Sequence, residues 1–264
     1  MIDMLPAVVP ALPRERRWKR NYPPALAGQW LAAGWHDFMV QPALSLAYGF
    51  LVFLVSAGVV FGLFRFGWDY FLFPAFAGFM VVGPILAVGL YEKSRRIAAK
   101  EPVTLARMIF IQPASAAQIL FTGVLLCLLM LLWMRAAVIV YALFFGVRPF
   151  PGLTHVAAML FTTPTGLAML LVGSVVGGLF AAFSFAISVV SIPMLLEERS
   201  DGLTAMGSSL AFVSHNLPVM LTWGAIVLAL FLASLATGLL GLIVVFPLLG
   251  HGTWHAYRAI RAAT

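Results

Sequence analysis

Charged residues are scarce in this chain of 264 residues: Asp, Glu, Lys and Arg make up 9%, where an average soluble domain has about 25%. Hydrophobic residues make up 62%, so a water-soluble fold would lack the polar surface that it needs. The single cysteine, Cys127, lies within an apolar run, which excludes a disulfide framework and a cysteine-bound metal cluster. The alternation of polar and apolar residues that marks a membrane barrel is also missing. These absences predict an all-α membrane protein.

Motifs that identify a chemical reaction are missing as well. The chain contains no Walker phosphate loop, no nucleophile elbow, no zinc-protease helix and no pair of catalytic carboxylates. Its nine acidic residues fall in tails, loops or helix ends, so a transport cycle driven by an acidic group in the membrane is disfavoured. We therefore predict no catalytic residue, no cofactor and no enzymatic activity.

Long apolar runs are the main positive feature of the sequence. Each of six runs is long enough to cross a hydrocarbon core about 30 Å thick as a helix. The predicted spans are residues 43–64, 70–91, 115–134 or beyond, 166–196, 218–235 and 239–257. The third and fourth helices have no strong breaker and extend past the membrane core, with Thr163 as N-cap and Pro164 as first residue of the fourth.

Basic residues follow the ends of these runs and give the chain a net charge of +7. Five of the 16 precede residue 21, and eight follow the second, fourth and sixth runs. These eight are Lys93, Arg95, Arg96, Lys100, Arg107, Arg199, Arg258 and Arg261. Only Arg65, Arg135 and Arg148 fall on the other side, so both termini are predicted to be cytoplasmic. We expect the basic tail, residues 1–26, to lie over anionic headgroups, and we expect no nucleic-acid partner.

Prolines recur in a pattern that predicts three copies of one hairpin unit. The units are residues 27–100, 101–200 and 201–260, within a single six-helix domain, residues 27–264. In each unit an amphipathic interfacial helix leads to a proline before the first span; these prolines are Pro42, Pro113 and Pro218. The second span of each unit also carries a proline. These three, Pro84, Pro193 and Pro247, are hinge candidates.

Two histidines, His251 and His255, are four residues apart and share one face of the last helix. This spacing suits two ligands of one metal ion, with His36, Asp37 or His215 completing the site. It does not suit two axial ligands of one haem. The alternative is an aromatic and basic belt at the lipid interface. That belt would consist of Trp254, Tyr257 and Arg258, joined by Trp35 and Phe38 of the first interfacial helix.

Apolar and small residues also suggest partner surfaces. The extensions of the third and fourth helices are apolar, which is typical of a partner site, although mutual packing or tilting is the alternative. The residues of this predicted surface are Val140, Tyr141, Phe144, Leu167 and Leu170. Glycines four apart, Gly58 and Gly62 in the first span and Gly173 and Gly177 in the fourth, allow close helix packing within the chain or in a homo-oligomer.

Four stretches resemble one known family: GWHDFMVQPALSLAYG (34–49), GPILAVGLYE (83–92), TTPTGLAMLLVG (162–173) and TGLLGLIVVFPLLGHGTWHAYR (237–258). The resemblance is to the uncharacterised bacterial integral membrane family catalogued as domain of unknown function 2189, and it runs from about Trp30 to Arg258. It implies a multi-pass protein of the bacterial inner membrane. It implies no established activity and no functional residue.

Function is therefore inferred from architecture. The first hypothesis is a non-enzymatic accessory subunit or assembly partner of a larger membrane complex, such as a respiratory one, bound to the bilayer and to other membrane subunits. The alternative is a transporter or channel for a neutral or lipid-like substrate, with a site at a repeat interface. A weaker alternative is a protein that handles metal or haem, centred on His251 and His255.

Overall fold

The structure is a computed structural model that describes the backbone of residues 21–146 and 153–262, with the side chains of these residues except 153–157 and 262. This part of the chain contains twelve α-helices, one short 3₁₀ turn (Asp69–Phe71) and no β-strand. The helices are α1 (Leu26–Met39), α2 (Pro42–Arg65), α3 (Leu72–Leu86), α4 (Val88–Ala98), α5 (Leu105–Ile109), α6 (Ala116–Phe145), α7 (Leu153–Thr162), α8 (Pro164–Ser188), α9 (Ser191–Glu197), α10 (Gly202–His215), α11 (Leu217–Ala236) and α12 (Leu242–Ala262). Most of the predicted basic tail lies outside the described residues.

Five helical segments of the described part are long and apolar enough to cross a membrane. They are Pro42–Arg65, Asp69–Ala98, Ala116–Phe145, Pro164–Glu197 and Leu217–Ala236. Each agrees with one of the first five predicted spans, and the third and fourth are long, as expected. The start of α8 is also confirmed, because the Thr163 side chain accepts a hydrogen bond of 3.0 Å from the Gly166 amide.

The sixth predicted span, residues 239–257, corresponds to α12 but is not among these five segments. Its first half is apolar, whereas its second half carries His251, His255, Arg258 and Arg261. That second half packs against α1 and α4. The described residues thus establish a helical membrane protein with five candidate spans.

Two of the candidate spans are interrupted near a hinge proline. The second span breaks at Ala87, between α3 and α4, three residues after Pro84. The fourth span breaks at residues 189–190, between α8 and α9, shortly before Pro193. A proline removes one intrahelical hydrogen bond and so makes such a break less costly. Pro247, by contrast, lies inside an uninterrupted α12.

Hydroxyl groups from neighbouring helices satisfy the backbone at both interruptions. Tyr48 in α2 donates a hydrogen bond of 2.8 Å to the Leu86 carbonyl. Ser209 in α10 lies inside the other break, where its Oγ accepts from the Val190 amide (3.1 Å) and donates to the Ala186 carbonyl (2.7 Å). A side chain inserted into a helical hydrogen-bond ladder is a known cause of a kink. The breaks are therefore built by tertiary contacts as well as by proline.

The helices form two groups that meet at one end of the molecule. Helices α3, α6 and α8 pack on one another, with the Trp133 indole donating to the Pro74 carbonyl at 3.0 Å. Helix α12 is the centre of the other group and contacts α1, α2, α4 and α11. Helices α9 and α10 pack against both α6 and α8. We call the end that carries α1, α4, α9 and α10 the basic end, because the ion pairs of Arg96, Arg258 and Arg261 lie there.

Glycines allow α12 to lie unusually close to its neighbours. A Cβ atom at Gly49 of α2 would lie 2.1 Å from the carbonyl oxygen of Ile243 and 2.9 Å from Pro247 Cγ. Pro247 has no N–H group to donate to the Ile243 carbonyl, so this carbonyl lacks its usual hydrogen bond within α12. The close approach of α2 covers this carbonyl. Gly34 of α1 and Gly252 of α12 form a second close crossing.

Candidate functional site

Six polar side chains from α1, α2, α4 and α12 meet at the basic end, and we call them the polar cluster. They are Asp37, Ser45, Lys93, Ser94, His251 and His255. His251 is fully buried, and its ring contacts two hydroxyl groups, Ser94 Oγ at 2.8 Å from Nδ1 and Ser45 Oγ at 3.1 Å from Nε2. Every one of these hydrogen bonds joins helices that are distant in the sequence.

Charged groups of both signs lie within the cluster. Lys93 is fully buried, and its Nζ donates to Ser45 Oγ at 2.7 Å and to the Gln41 carbonyl at 3.3 Å. Asp37 is only 4% exposed, and its carboxylate lies 2.8 Å from His255 Nε2. Buried charges are stable only when they are paired and hydrogen-bonded. The cluster therefore fixes the relative positions of the four helices that supply it.

The pKa of the Asp37 carboxyl lies below its ordinary value. Burial by itself raises this pKa, because it disfavours the charged form, but hydrogen bonds from His255 and Ser94 favour the carboxylate. Electrostatic interactions with His255 and His251 lower this pKa further. The contacts of the cluster thus outweigh desolvation and keep Asp37 ionised.

The structure brings together Asp37 and His255, which the metal hypothesis grouped, as a hydrogen-bonded pair. Among the side chains that the structure describes, those of residues 21–146 and 158–261, no three His, Cys, Asp or Glu residues are arranged to hold a metal ion. Both ring nitrogens of His251 already face serine hydroxyls. His36 Nδ1 lies 3.6 Å from Asp37, whereas His215 is exposed and contacts the Ala211 carbonyl of its own helix. The described geometry gives the metal and haem alternative no support.

Residues predicted to face lipid divide into exposed and buried ones. Trp35 is 48% exposed and stacks on Phe38 at 5.3 Å, but Phe38 itself is buried. Trp254 and Tyr257 are also buried, since α1 covers this part of α12. Arg258 is exposed and pairs with Glu197 at 2.6 Å. The structure thus corrects the prediction of an interfacial belt: three of its five residues are core residues.

Carboxylates at the ends of the second and fourth spans pair with arginines, as expected from their basic neighbours. Glu92 is buried and binds both Arg95 and Arg96, at 2.8 and 2.6 Å. Glu198 binds Arg261 at 2.7 Å and accepts a hydrogen bond of 2.6 Å from Tyr257. Three ionisable residues that the sequence assigns to loops or helix ends, Asp37, Glu92 and Lys93, are nevertheless buried.

A large apolar groove separates α11 from α3, α6 and α8. Its volume is about 1170 Å³. Leu217, Leu221, Gly224 and Leu228 line it along one face of α11. Small residues of α8, from Gly173 to Ala182, line the opposite side, with α7 and α10 at the two ends. The groove therefore runs along the membrane-spanning part of four candidate spans.

A smaller apolar cavity of about 110 Å³, the inner cavity, adjoins the groove. Four residues line both spaces: Met80, Ala181, Phe185 and Val227. Both helix interruptions reach the inner cavity, through Ala87 and Val189. Stacked Phe79 and Phe231, whose ring centroids lie 5.5 Å apart, also line it. The place where two spans are broken is thus also the place where the cavity lies.

The predicted partner surface largely coincides with the groove. Val140, Tyr141 and Leu170 line it, and Val140 is buried. Phe144 is half-buried, and Leu167 is 53% exposed on the outer face of α8. The sequence predicted the apolar extensions but not the groove between them, because hydropathy does not show which helices face each other across a space.

The two glycine pairs were predicted to allow close helix packing, and the structure shows such packing within the chain at one of the four positions. Nothing described lies within 4 Å of a Cβ atom placed on Gly58, Gly62 or Gly173. At Gly177 such an atom would lie 2.8 Å from the Trp133 ring. Only Gly177 of the four is therefore needed for packing inside this chain.

Comparison with known families confirms the resemblance inferred from the sequence. The family model described as "Predicted integral membrane protein (DUF2189)" matches residues 72–197. This range covers the second to fourth candidate spans, including both interruptions, whereas the stretches 34–49 and 237–258 lie outside it. No curated protein and no solved structure matches the chain. The chain is an integral membrane protein of unknown function with several apolar helices.

Proposed function

We propose that this protein binds a lipid-like molecule in the groove between α8 and α11 and transports it within or across the membrane. The groove carries the proposal. Its volume of about 1170 Å³ exceeds the roughly 300–1,000 Å³ of sites for drug-sized ligands. Its walls come from membrane-spanning segments, so the molecules that reach it from the side are those dissolved in the bilayer.

The interrupted spans support movement rather than static storage. In many transporters the substrate site lies where discontinuous helices meet at a repeat interface. Here the breaks at Ala87 and Val189 both border the inner cavity next to the groove. Pro84 and Pro193 are the proposed hinges, and three repeated hairpin units would provide the symmetry for alternating access.

Binding is tested with variants that fill the groove. Gly178 and Gly224 line it and have open space around them, so Gly178→Leu and Gly224→Leu place bulk in the groove without a clash. Gly58→Leu is the matched control, because Gly58 also faces open space but lies in α2, away from the groove. Protein purified in mild detergent is titrated with a fluorescent acyl-chain probe, and transfer of the probe is followed between liposomes.

We expect the wild type and Gly58→Leu to bind and transfer the probe, and the two groove variants to lose at least tenfold in affinity. Equal binding by all four proteins would mean that the probe associates outside the groove. If the wild type neither binds nor transfers the acyl probe, the proposal is overturned.

A second candidate is the accessory-subunit role in a larger membrane complex. The observation that favours it is the apolar outer surface of α6 and α8, where Leu143 is 76% and Leu171 68% exposed. Stoichiometric co-purification of other membrane subunits through a C-terminal tag would support this role. Purification of this protein from native membranes without other subunits, as a monomer or a homo-oligomer, would contradict this role.

Topology and location belong to the same proposal. We place both termini in the cytoplasm of a bacterial cell, with α12 as the sixth crossing of the inner membrane. The excess of Lys and Arg at the basic end supports this orientation. Cysteine accessibility on either side of the membrane tests it, with single cysteines at Lys100 and Arg65 in a Cys127→Ser background. Labelling of both positions from the same side would contradict the assignment.

A further inference from the structure

The walls of the groove carry polar groups but no charge. Among the described residues that line it there is no Asp, Glu, Lys, Arg or His. An ionised head would lose its hydration in the groove without meeting a partner of opposite charge, and that loss is costly. The polar groups of the lining belong to Tyr70, Trp133, Tyr141, Ser174 and Ser214. The groove therefore favours a ligand whose head is uncharged but able to form a hydrogen bond.

Ser174 lies at the centre of the wall that α8 contributes. The lining residues of α8 run from Met169 to Ala186. With 3.6 residues per turn, they cover an arc of the helix whose middle falls within about 10° of Ser174. Ser174 is exposed, and nothing described lies within 4 Å of a Cβ atom placed on Gly173 or Gly178 beside it. Its short side chain, a hydroxymethyl group, therefore points into the open space of the groove.

The hydroxyl group of Ser174 forms no hydrogen bond with another described residue. Serines in membrane helices commonly donate to the carbonyl four residues earlier, as Ser188 and Ser234 do here. The other polar residues of the lining each have an interaction partner within the protein; these are Tyr70, Trp133, Tyr141 and Ser214. Ser174 is thus the polar residue of the lining whose hydroxyl group is both exposed and available to a ligand.

The wall beyond Ser174 is as long as one hydrocarbon chain. From Ser174 to Ala186, α8 rises about 18 Å. A membrane core about 30 Å thick contains two layers of chains, so one chain occupies about 15 Å. Only glycine, alanine and Phe185 line this stretch of α8, and Ala181 and Phe185 also line the inner cavity. A ligand with its head at Ser174 can therefore extend a single chain along α8 toward the inner cavity.

We propose that the ligand of the groove is a long-chain alcohol, whose hydroxyl head binds the Ser174 hydroxyl while its hydrocarbon chain lies along α8. This inference rests on the proposed function and specifies its substrate class. An alcohol matches serine because each hydroxyl group can donate one hydrogen bond and accept another. A phosphate head is ionised at neutral pH and would find no cation among the described residues of the lining.

The test compares three ligands of equal chain length: hexadecanol, hexadecane and hexadecyl phosphate. Each competes with the fluorescent acyl-chain probe for the full-length protein in detergent micelles. Ser174→Ala removes the hydroxyl group without taking a partner from any described residue, so the fold should be unchanged. We expect the wild type to prefer hexadecanol, and Ser174→Ala to lower hexadecanol affinity about fivefold, the factor for one neutral hydrogen bond. Hexadecane affinity should not change.

Ser56→Ala is the matched control. Ser56 lies in α2, does not line the groove and also has no hydrogen-bond partner among the described residues, so this variant should leave all affinities unchanged. Unchanged hexadecanol affinity in Ser174→Ala, or an equal loss for hexadecane, would overturn the inference, because the hydroxyl would then not bind the head. A loss of the same size in Ser56→Ala would overturn it too.

The probe separates this inference from the proposed function. If the probe binds the wild type, but hexadecanol displaces it no better than hexadecane or less well than hexadecyl phosphate, the alcohol is not the ligand and the proposed function stands. If the probe itself does not bind the wild type, the proposed function fails.

Discussion

Lys93 and Ser45 lie 48 residues apart in the chain, and Lys93 Nζ donates a hydrogen bond of 2.7 Å to Ser45 Oγ. The same hydroxyl lies 3.1 Å from His251 Nε2, so Ser45 links a lysine of α4 to a histidine of α12. All three side chains are completely buried. The Ser45 oxygen thus links α2, α4 and α12 at a single atom.

Replacing Lys93 with Met should destabilise the protein by about 1–3 kcal/mol, because the buried Ser45 hydroxyl and the Gln41 carbonyl lose their hydrogen-bond donor. The free energy of unfolding is measured by denaturant titration in detergent micelles. Lys100→Met is the control, since Lys100 is exposed and should change the free energy by less than about 1 kcal/mol. Equal values for the two variants would show that the Lys93 contacts contribute little.

Acid should weaken the contribution of Asp37. Its pKa is lowered in the folded protein, so its carboxylate stabilises the fold above the unfolded pKa of about 3.9. This contribution is lost as the pH falls below about 4 through the folded pKa. We expect the stability difference between wild type and Asp37→Asn to shrink as the pH falls from about 4 to 3. A difference that stays constant throughout this range would contradict the assignment.

The interruption between α8 and α9 should depend on one hydroxyl group. Ser209→Ala removes the acceptor of the Val190 amide and the donor to the Ala186 carbonyl. Two buried backbone groups then lack their partner, at a cost of about 1–3 kcal/mol. Ser208→Ala is the matched control, because the neighbouring Ser208 makes none of these bonds. Thermal unfolding in micelles measures both, and a neutral Ser209→Ala would show that the break forms without the hydroxyl.

The crossing of α2 and α12 should not tolerate a methyl group. In Gly49→Ala the new Cβ would lie 2.1 Å from the Ile243 carbonyl oxygen, so the two helices must separate. We expect a loss of about 1–3 kcal/mol, typical of overpacking. Gly58→Ala in the same helix meets nothing within 4 Å and should be neutral or slightly stabilising, since Ala favours helix. Destabilisation of Gly58→Ala would instead indicate a homo-oligomer contact at that face.

Features governed by local sequence could be predicted closely. Five spans were placed within a few residues, except at the ends of the long segments, because the hydrophobic length of a helix is a property of consecutive residues. The start of α8 at Thr163 and Pro164 follows from capping chemistry that acts over three residues. Hinges were predicted at Pro84, Pro193 and Pro247; helix interruptions lie near the first two, whereas the chain continues as a helix through Pro247.

The candidate site was predictable only in part. Asp37 and His255 were grouped from their predicted position at one end, yet their hydrogen bond, and the absence of a third ligand among the described side chains, depend on how α1 packs on α12. Lys93 was read as a residue of a basic loop, since no local pattern distinguishes it from Arg95 or Lys100. Its burial results from Ser45 and Gln41 of another helix.

The sequence by itself determined that this is a helical membrane protein and where its spans lie, because hydrophobicity and proline act along a few turns of one helix. Only the tertiary structure decided which polar groups meet in the cluster, where α11 stands apart from α8, and how the inner cavity joins the groove. These features depend on contacts between residues far apart in the sequence, such as Ser45 and His251, which are 206 positions apart. Helix-to-helix distances are set by the shapes of both partners, and that information is not local to either one.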